Sequence, residues 1–453
     1  MPETSTVVVG GGLAGISAAL RLADLGKQVV LVEKRPRLGG AAFSFTRGAL
    51  TIDNGQHVFL RCCTAYRWFL ERVGAHGDVV LQQRLDIPVL APDGRTARLR
   101  RDPGMPAPAH LGTALARYGV LGPADRLRAV RGAIALRLLD PHDRRLDDRT
   151  LGEYLRRHGQ NDATIDALWG IVATATLNLD PDDASLALAA KVFRTGLLDS
   201  APNADVGYAA VPLSRLHDEA ASKALADAGV EVRTGHPVRR VDNGLVEVDG
   251  PSGPATWTAE SVVLALPHTD AFATTPALRE SRASGAAGLG ASPIVNVHVV
   301  YDRKVTDLPF AAAVRSPVQW FFDRSESSGL AEQHPGAQYL AVTVSAADDV
   351  VGTPSKDVLT RFVPELARLL PAAGRAEVLD SFVTRERRAT FRQAAGSWAM
   401  RPAVDDGPSG VRLAGAWTDT GWPDTMESAV RSGVKAAESA AGISATDAME
   451  FGP

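Results

Sequence analysis

The first hydrophobic run, Thr6-Val7-Val8-Val9, shows no alternation and is rich in β-branched residues. That predicts a buried parallel strand. Apolar residues then recur at helical spacing, at Leu13, Ile16, Leu20 and Ala23, so a helix is expected from about Leu13 to Leu25, closed by Gly26. A second unbroken run, Gln28 to Val32, predicts a neighbouring strand that stops at Glu33. Between strand and helix lies Gly10-Gly11-Gly12-Leu13-Ala14-Gly15, which fits G-x-G-x-x-G. In a strand–turn–helix–strand unit this is a dinucleotide-binding signature. Gly10 makes the tight turn, Gly12 lets a pyrophosphate approach the helix start at Leu13 and Ala14, and Gly15 permits close helix–strand packing. Glu33 is placed to bind the hydroxyls of an adenosine ribose.

The pattern continues with a hairpin expected over Ala41 to Ile52, then a polar cluster, Asp53-Asn54-Gly55-Gln56-His57, beside the apolar Val58-Phe59-Leu60. Polar groups packed against an apolar run suggest a site; a plain hairpin turn at Asn54-Gly55 is the alternative. A helix is expected over Thr64–Val73 and short strands over residues 79–100. Pro123 to Leu139 reads as a helix whose stripe, Leu127, Val130, Ile134 and Leu138, is expected to face the core, with Arg126, Arg128, Arg131 and Arg137 in solvent. The same basic amphipathic pattern also suits a membrane surface. Further helices are expected over 151–158, 163–175 and 184–199. Parallel-sheet elements resume at about Pro212, with a helix over Leu213–Ala228, strands at Val230–Arg233 and Val238–Val241, a hairpin over 245–258 and a buried strand at Ser261–Pro267. Alternating residues over 293–322 and 339–344 predict an antiparallel sheet, followed by a helix over 356–370 and a strand over 381–387. The strand Val411–Gly415 and a helix from about Thr425 to Ala441 close the pattern.

Composition narrows the reading. The 453 residues suffice for two domains, and a net charge of −3 gives no reason to expect a nucleic-acid partner. The two cysteines, Cys62 and Cys63, are adjacent, which fits buried thiols in a reducing cytoplasm better than a disulfide framework. No apolar run is long enough to span a bilayer, and no signal peptide is visible.

The segment Glu33-Lys34-Arg35-Pro36-Arg37-Leu38-Gly39-Gly40 resembles the extended motif of FAD-dependent amine oxidases and phytoene desaturases. Four further stretches, Asp53–His57, Ala173-Thr174-Ala175-Thr176-Leu177-Asn178, Val318–Arg324 and Leu413–Thr418, together with Thr425–Gly433, are similar to the squalene-associated FAD-dependent desaturases, the hydroxysqualene dehydroxylase family. The resemblance implies an α/β fold: a discontinuous Rossmann-like FAD domain of the glutathione reductase type (1–62, 200–270 and 405–445) with an inserted α+β substrate domain (63–199 and 271–404). It implies FAD contacts at Gly10, Gly12, Leu13, Ala14, Gly15, Glu33, Lys34, Arg35, Gly39, Gly40, Asn54, Gly55, Gln56, His57, Val238, Gly415, Asp419, Thr425 and Met426. Val238 would pair through its backbone with the adenine, and the helix starting at Thr425 and Met426 would face the flavin. Relatives often carry Arg at the position of Ala41 and Asp at that of Ala416; Asp419 is the candidate replacement for the latter.

The reaction implied is reductive removal of the hydroxyl of hydroxysqualene, with hydride from reduced flavin N5, in hopanoid synthesis. His57 and Asp53 are the candidate acids, and Trp320, Phe322 and Asn178 the candidate substrate contacts. Carotenoid desaturation, amine oxidation and a non-catalytic FAD-binding role are the alternatives. A lipophilic isoprenoid substrate further implies a cytoplasmic protein in peripheral contact with the inner face of a membrane. Reduction of the flavin needs an electron donor, and no motif specifies one.

Overall fold

The computed structural model describes residues 4–251, 253–444 and 446–452. The outermost residues of the expected FAD domain, 1–3 and Ala445, lie outside these. The first sheet is built from the unbroken apolar runs. Its parallel part places Glu231–Arg233, Val29–Val32, Thr4–Val9, the second half of Gly253–Leu264, and Val411–Leu413 side by side. Both faces are covered, which is why its strands do not alternate. Val8, Leu31 and Val263 pack under the helices Leu13–Asp24 and Met426–Ala441, while Val7, Val9, Val30 and Val32 face a second core with Trp257 and Leu264. The first half of Gly253–Leu264 turns away into an antiparallel meander with Leu245–Gly250 and Val238–Asp242.

The second sheet runs in the order Val378–Thr390, Ser292–Tyr301, Gln338–Val344, Trp320–Asp323, Phe310–Ala313, Asp86–Leu90, Thr96–Arg100. All its pairings are antiparallel except that of Phe310–Ala313 with Asp86–Leu90. A small sheet, Val58–Leu60, Val206–Ala209 and Val79–Leu81, lies between the two larger ones in the chain's path. The strand Val206–Ala209 was not legible from pattern, because Gly207 and Tyr208 interrupt its apolar run.

The hairpin expected over Ala41 to Ile52 forms from Ser44–Arg47 and Leu50–Asp53 and turns at Gly48, which excludes the alternative of a turn at Asn54-Gly55. One expectation needs correction. The helix Pro123–Arg137 forms with Pro123 in its first turn, but its stripe is inverted. Leu127, Val130, Ile134 and Leu138 are 73%, 45%, 55% and 80% exposed, while Ala129, Gly132, Ala135 and Leu136 face inward. Small residues won the inner face because the helix lies almost on its neighbours: a Cβ at Gly132 would sit 2.9 Å from both Gln160 and Trp169. The helix Thr64–Arg72 also joins the first core through Ala65, Tyr66, Phe69 and Leu70, rather than the inserted part of the chain. Glu427, in the final helix, accepts hydrogen bonds from the N–H groups of Ala65 and Tyr66 and so caps it.

Candidate active site

Six glycines, Gly10, Gly11, Gly12, Gly15, Gly39 and Gly40, converge where the first strand meets the first helix. Gly12 precedes the helix with no side chain capping its free N–H groups, an arrangement that favours an anion. Gly39 donates its N–H to Gly11 O at 2.9 Å, and a Cβ at Gly40 would lie 2.7 Å from Gly12 Cα. The buried Glu33 carboxylate is aimed by two backbone donors, Gly11 N–H at 2.7 Å and Arg35 N–H at 2.8 Å. Val238 starts its strand beside a bulge, close to Glu33, whose carbonyl accepts from His236 N–H. Lys34 pairs with Asp270 at the surface. Arg35 reaches Gly40 O at 3.3 Å, and Arg37 lies 3.6 Å over the Phe43 ring and bonds Leu38 O and Gly40 O. Arg37 thus brings a guanidinium to the turn that holds Ala41.

The polar cluster divides into braces and free groups. Asn54 is a brace: its amide donates to Ala41 O and Glu386 Oε1 and accepts from Phe43 N–H, while its carbonyl accepts from Asn296 Nδ2. Gly55 sits beside Asn296 and His57. Asp53 accepts from Ser44 Oγ (2.7 Å), Leu213 N–H (3.0 Å) and Arg324 Nη2 (2.7 Å), and Arg324 is held in turn by Ala209 O and Val211 O. With three donors on it, one of them a buried guanidinium, the Asp53 carboxylate is held as a brace of the site. Gln56 Nε2 is buried with no partner among the described residues, and His57 lies next to it. Desolvation pushes the His57 pKa below 6.5, partly offset by the Asp53 carboxylate, so the imidazole is neutral at pH 7.

These residues line a cavity of about 10 Å³ whose walls include Tyr208, Leu213 and Phe322. Trp320 and Phe322 alternate onto this face of their strand, with ring centroids 6.3 Å apart, and Phe310 and Tyr208 extend the aromatic wall. Phe321 points the other way, into the sheet's core. Asn178 is corrected to a structural role. Its left-handed backbone caps a helix, its amide donates to Ser292 O and Thr390 Oγ1, and its Oδ1 accepts from Ala346 N–H. Both amide hydrogens are thereby used, and the residue is only 2% exposed.

At the other end of the site, Thr425 caps the Met426–Ala441 helix through Ser428 N–H, and Gly415 N–H donates to Ser432 Oγ. Asp419 is tied to Trp398 Nε1 and Arg144, which leaves it a brace of the surrounding loops. Pattern reading missed Arg401. It is 4% exposed and donates through Nη2 to Ala416 O and Thr418 O, while Nε and Nη1 have no partner among the described residues. Burial pushes its pKa down to about 10, so it remains a cation at neutral pH. The uncapped helix, the aimed Glu33 carboxylate and the orphaned N–H groups of Gln56 and Arg401 suit a long ligand that carries phosphates and a polar ring edge.

The comparisons with known proteins fit this geometry. The pattern of the family described as flavin containing amine oxidoreductase matches residues 13–441. The chain belongs to that family. It is an FAD-dependent oxidoreductase of the amine oxidase and phytoene desaturase superfamily. It is similar to hydroxysqualene dehydroxylase of Rhodopseudomonas palustris, 28% identical over 95% of this chain and 97% of that protein. It is also similar to zeta-carotene desaturase of Arabidopsis thaliana, 24% identical over 96% of this chain and 85% of that one. Among solved structures, cyclohexylamine oxidase from Brevibacterium oxydans shares the fold with a TM-score of 0.65 at 18% identity, covering 97% of this chain and 99% of that one.

Two buried histidines give this flavoprotein a pH signature. His217 bonds Tyr66 OH and Ala42 O, and His298 bonds Tyr339 OH and Thr384 Oγ1. Desolvation pushes their pKa values down to about 4 and about 3. The unfolded chain takes up these protons first, near pH 6.5, so stability falls as the pH drops below that value. Each shift corresponds to about 3–5 kcal/mol. Asp424, pushed up to about 6 by burial, and Asp147, Asp166 and Asp180, raised by burial, act in the opposite sense, while His57, His110 and His268, lowered by burial, add to the histidine side. The expected result is a thermal midpoint that declines from pH 7 to pH 5, with a shallower decline in His298→Gln.

Proposed function

We propose that this flavoprotein removes the hydroxyl of hydroxysqualene to give squalene. End-to-end similarity to hydroxysqualene dehydroxylase carries the reading, since 95% of this chain aligns with 97% of that protein. The site chemistry supports it. Loss of hydroxide needs a proton, and formation of the new C–H bond needs a hydride. Bound FAD, once reduced, supplies the hydride. His57 delivers the proton to the departing oxygen, which leaves as water, and the Gln56 amide orients that oxygen. Trp320, Phe322 and Tyr208 supply the apolar and π-rich wall that a polyisoprenoid carbocation requires. The cavity, at about 10 Å³, is only water-sized, so the isoprenoid enters by displacing these aromatic side chains.

The test is a substrate comparison. The FAD-loaded protein, reduced under anaerobic conditions, is incubated with hydroxysqualene, and the oxidised protein with phytoene, zeta-carotene or cyclohexylamine. Squalene as the sole product supports the reading; desaturated carotenoid or released ammonia instead would replace it. His57 also predicts a pH profile. Only the imidazolium form of His57 can donate, and its share grows as the pH falls, so the single-turnover rate rises from pH 8 toward pH 6 and flattens in His57→Asn.

A further inference from the structure

The inverted helix Pro123–Arg137 leaves an apolar stripe with no cover. Leu127, Val130, Ile134 and Leu138 are spaced by three, four and four residues, so they form one ridge along the helix. All four are exposed, whereas large exposed apolar residues elsewhere in the described chain are scattered singly or in adjacent pairs. The ridge is flanked by basic groups on both sides. Arg128 and Arg131 follow it on one side, and Arg126 and Arg137 border it on the other. Arg131 has no acidic partner among the described residues, and Arg128 meets only Asp125 on the same helix, whereas Arg137 donates to Leu198 O with Asp199 at 4.0 Å, and Arg126 donates to the carbonyls of Ala116, Tyr118 and Leu121. The four arginines of the helix meet two aspartates, Asp125 on the helix and Asp199 beside Arg137, in a chain whose net charge is −3, so the excess charge on this face is positive and sits at Arg131 and Arg126.

We infer that this face seats the protein on an anionic lipid bilayer. An exposed apolar ridge between rows of arginine matches the interior and headgroup layers of such a surface, with the leucine side chains in the acyl boundary and the guanidinium groups among the phosphates. A second copy of the chain fits poorly, because a two-fold contact through the ridge would bring like-charged arginines together. No helix among the described residues is long and apolar enough to cross a membrane, so the contact is peripheral. The ridge ends at a cavity of about 400 Å³ lined by Leu138, Leu139, Lys191 and Arg194. The Lys191 ammonium lies 4.8 Å from the ring of Trp422, just before the final helix. Lys191 thus borders both this cavity and Trp422. The inference rests on the isoprenoid reading for its purpose, namely uptake of a lipid from the bilayer, but not for its test.

The test is flotation of the FAD-loaded protein with vesicles of phosphatidylcholine, with and without phosphatidylglycerol. The expected result is binding to the anionic vesicles, weakened by salt. Leu127→Ser with Leu138→Ser, and separately Arg128→Glu with Arg131→Glu, should each lower the partition coefficient about tenfold or more. Leu245→Ser, an exposed residue on a distant strand, should leave it unchanged. All these positions are at the surface, and thermal unfolding checks that each variant folds. Absence of vesicle binding by the wild type, or equal binding by the ridge variants, overturns the inference. So does a wild-type dimer in sedimentation that the serine variant dissociates. Turnover in detergent is read separately, so loss of vesicle binding with retained squalene formation refutes the surface and not the reaction.

Discussion

Gly12→Ala is expected to strip FAD from the protein while leaving the fold intact, whereas Gly15→Ala damages both. The two glycines lie in one turn but meet different neighbours. A Cβ on Gly12 has only Gly40 Cα nearby, at 3.7 Å, so the protein itself has room for it. It would occupy the space through which a pyrophosphate reaches the helix N–H groups. Losing one or two charge-assisted hydrogen bonds weakens FAD binding about a hundredfold, or about 3 kcal/mol. A Cβ on Gly15 would lie 1.8 Å from Gly10 O, so helix and strand must separate. The cost is about 3 kcal/mol of stability, with or without cofactor. Flavin absorbance per mole of protein, with thermal midpoints of the FAD-free proteins, separates the two cases. Equal loss of midpoint in both variants would mean that Gly12 also serves only packing.

Arg324→Met should be the most destabilising single change in the site. The Arg324–Asp53 pair is buried, with side chains 9% and 5% exposed at 2.7 Å. Removing the guanidinium leaves a buried carboxylate with only Ser44 and Leu213 as donors. Breaking a buried pair from one side costs about 3–5 kcal/mol. Asp53→Asn in the same background removes the stranded charge and should restore part of the loss. Urea unfolding of the two single variants and the double variant measures the coupling. Additive losses would show that the pair does not stabilise the fold as a unit.

Much of the cofactor half was legible because its signals are local. Thr6–Gly40 contains strand, turn, helix, strand and acid within one short unit, and each element forms where the periodicity puts it. The second sheet was legible as alternation at 293–301 and 339–344, because its strands pack one side against a helix-lined core. Three things were hidden. The inward face of Pro123–Arg137 depends on how closely Trp169 and Gln160 approach, which periodicity cannot encode, so the apolar stripe pointed the wrong way. Asn178 and Asp53 are polar residues in distinctive motifs, yet their partners, Ser292, Thr390, Ala346 and Arg324, lie more than a hundred residues away, and those partners make them braces. Arg401 sits in an undistinguished stretch, and only its burial beside Ala416 with two orphaned nitrogens marks it.

The central claim is that the flavin of this protein reduces hydroxysqualene. Anaerobic single-turnover mixing tests it most directly: the FAD-loaded protein is reduced with two electrons per flavin, mixed with hydroxysqualene in detergent, and followed by flavin absorbance and by product extraction. The expected result is flavin reoxidation in step with squalene formation, one squalene for each flavin reoxidised. Flavin that stays reduced in a folded protein, with no squalene formed, would contradict it.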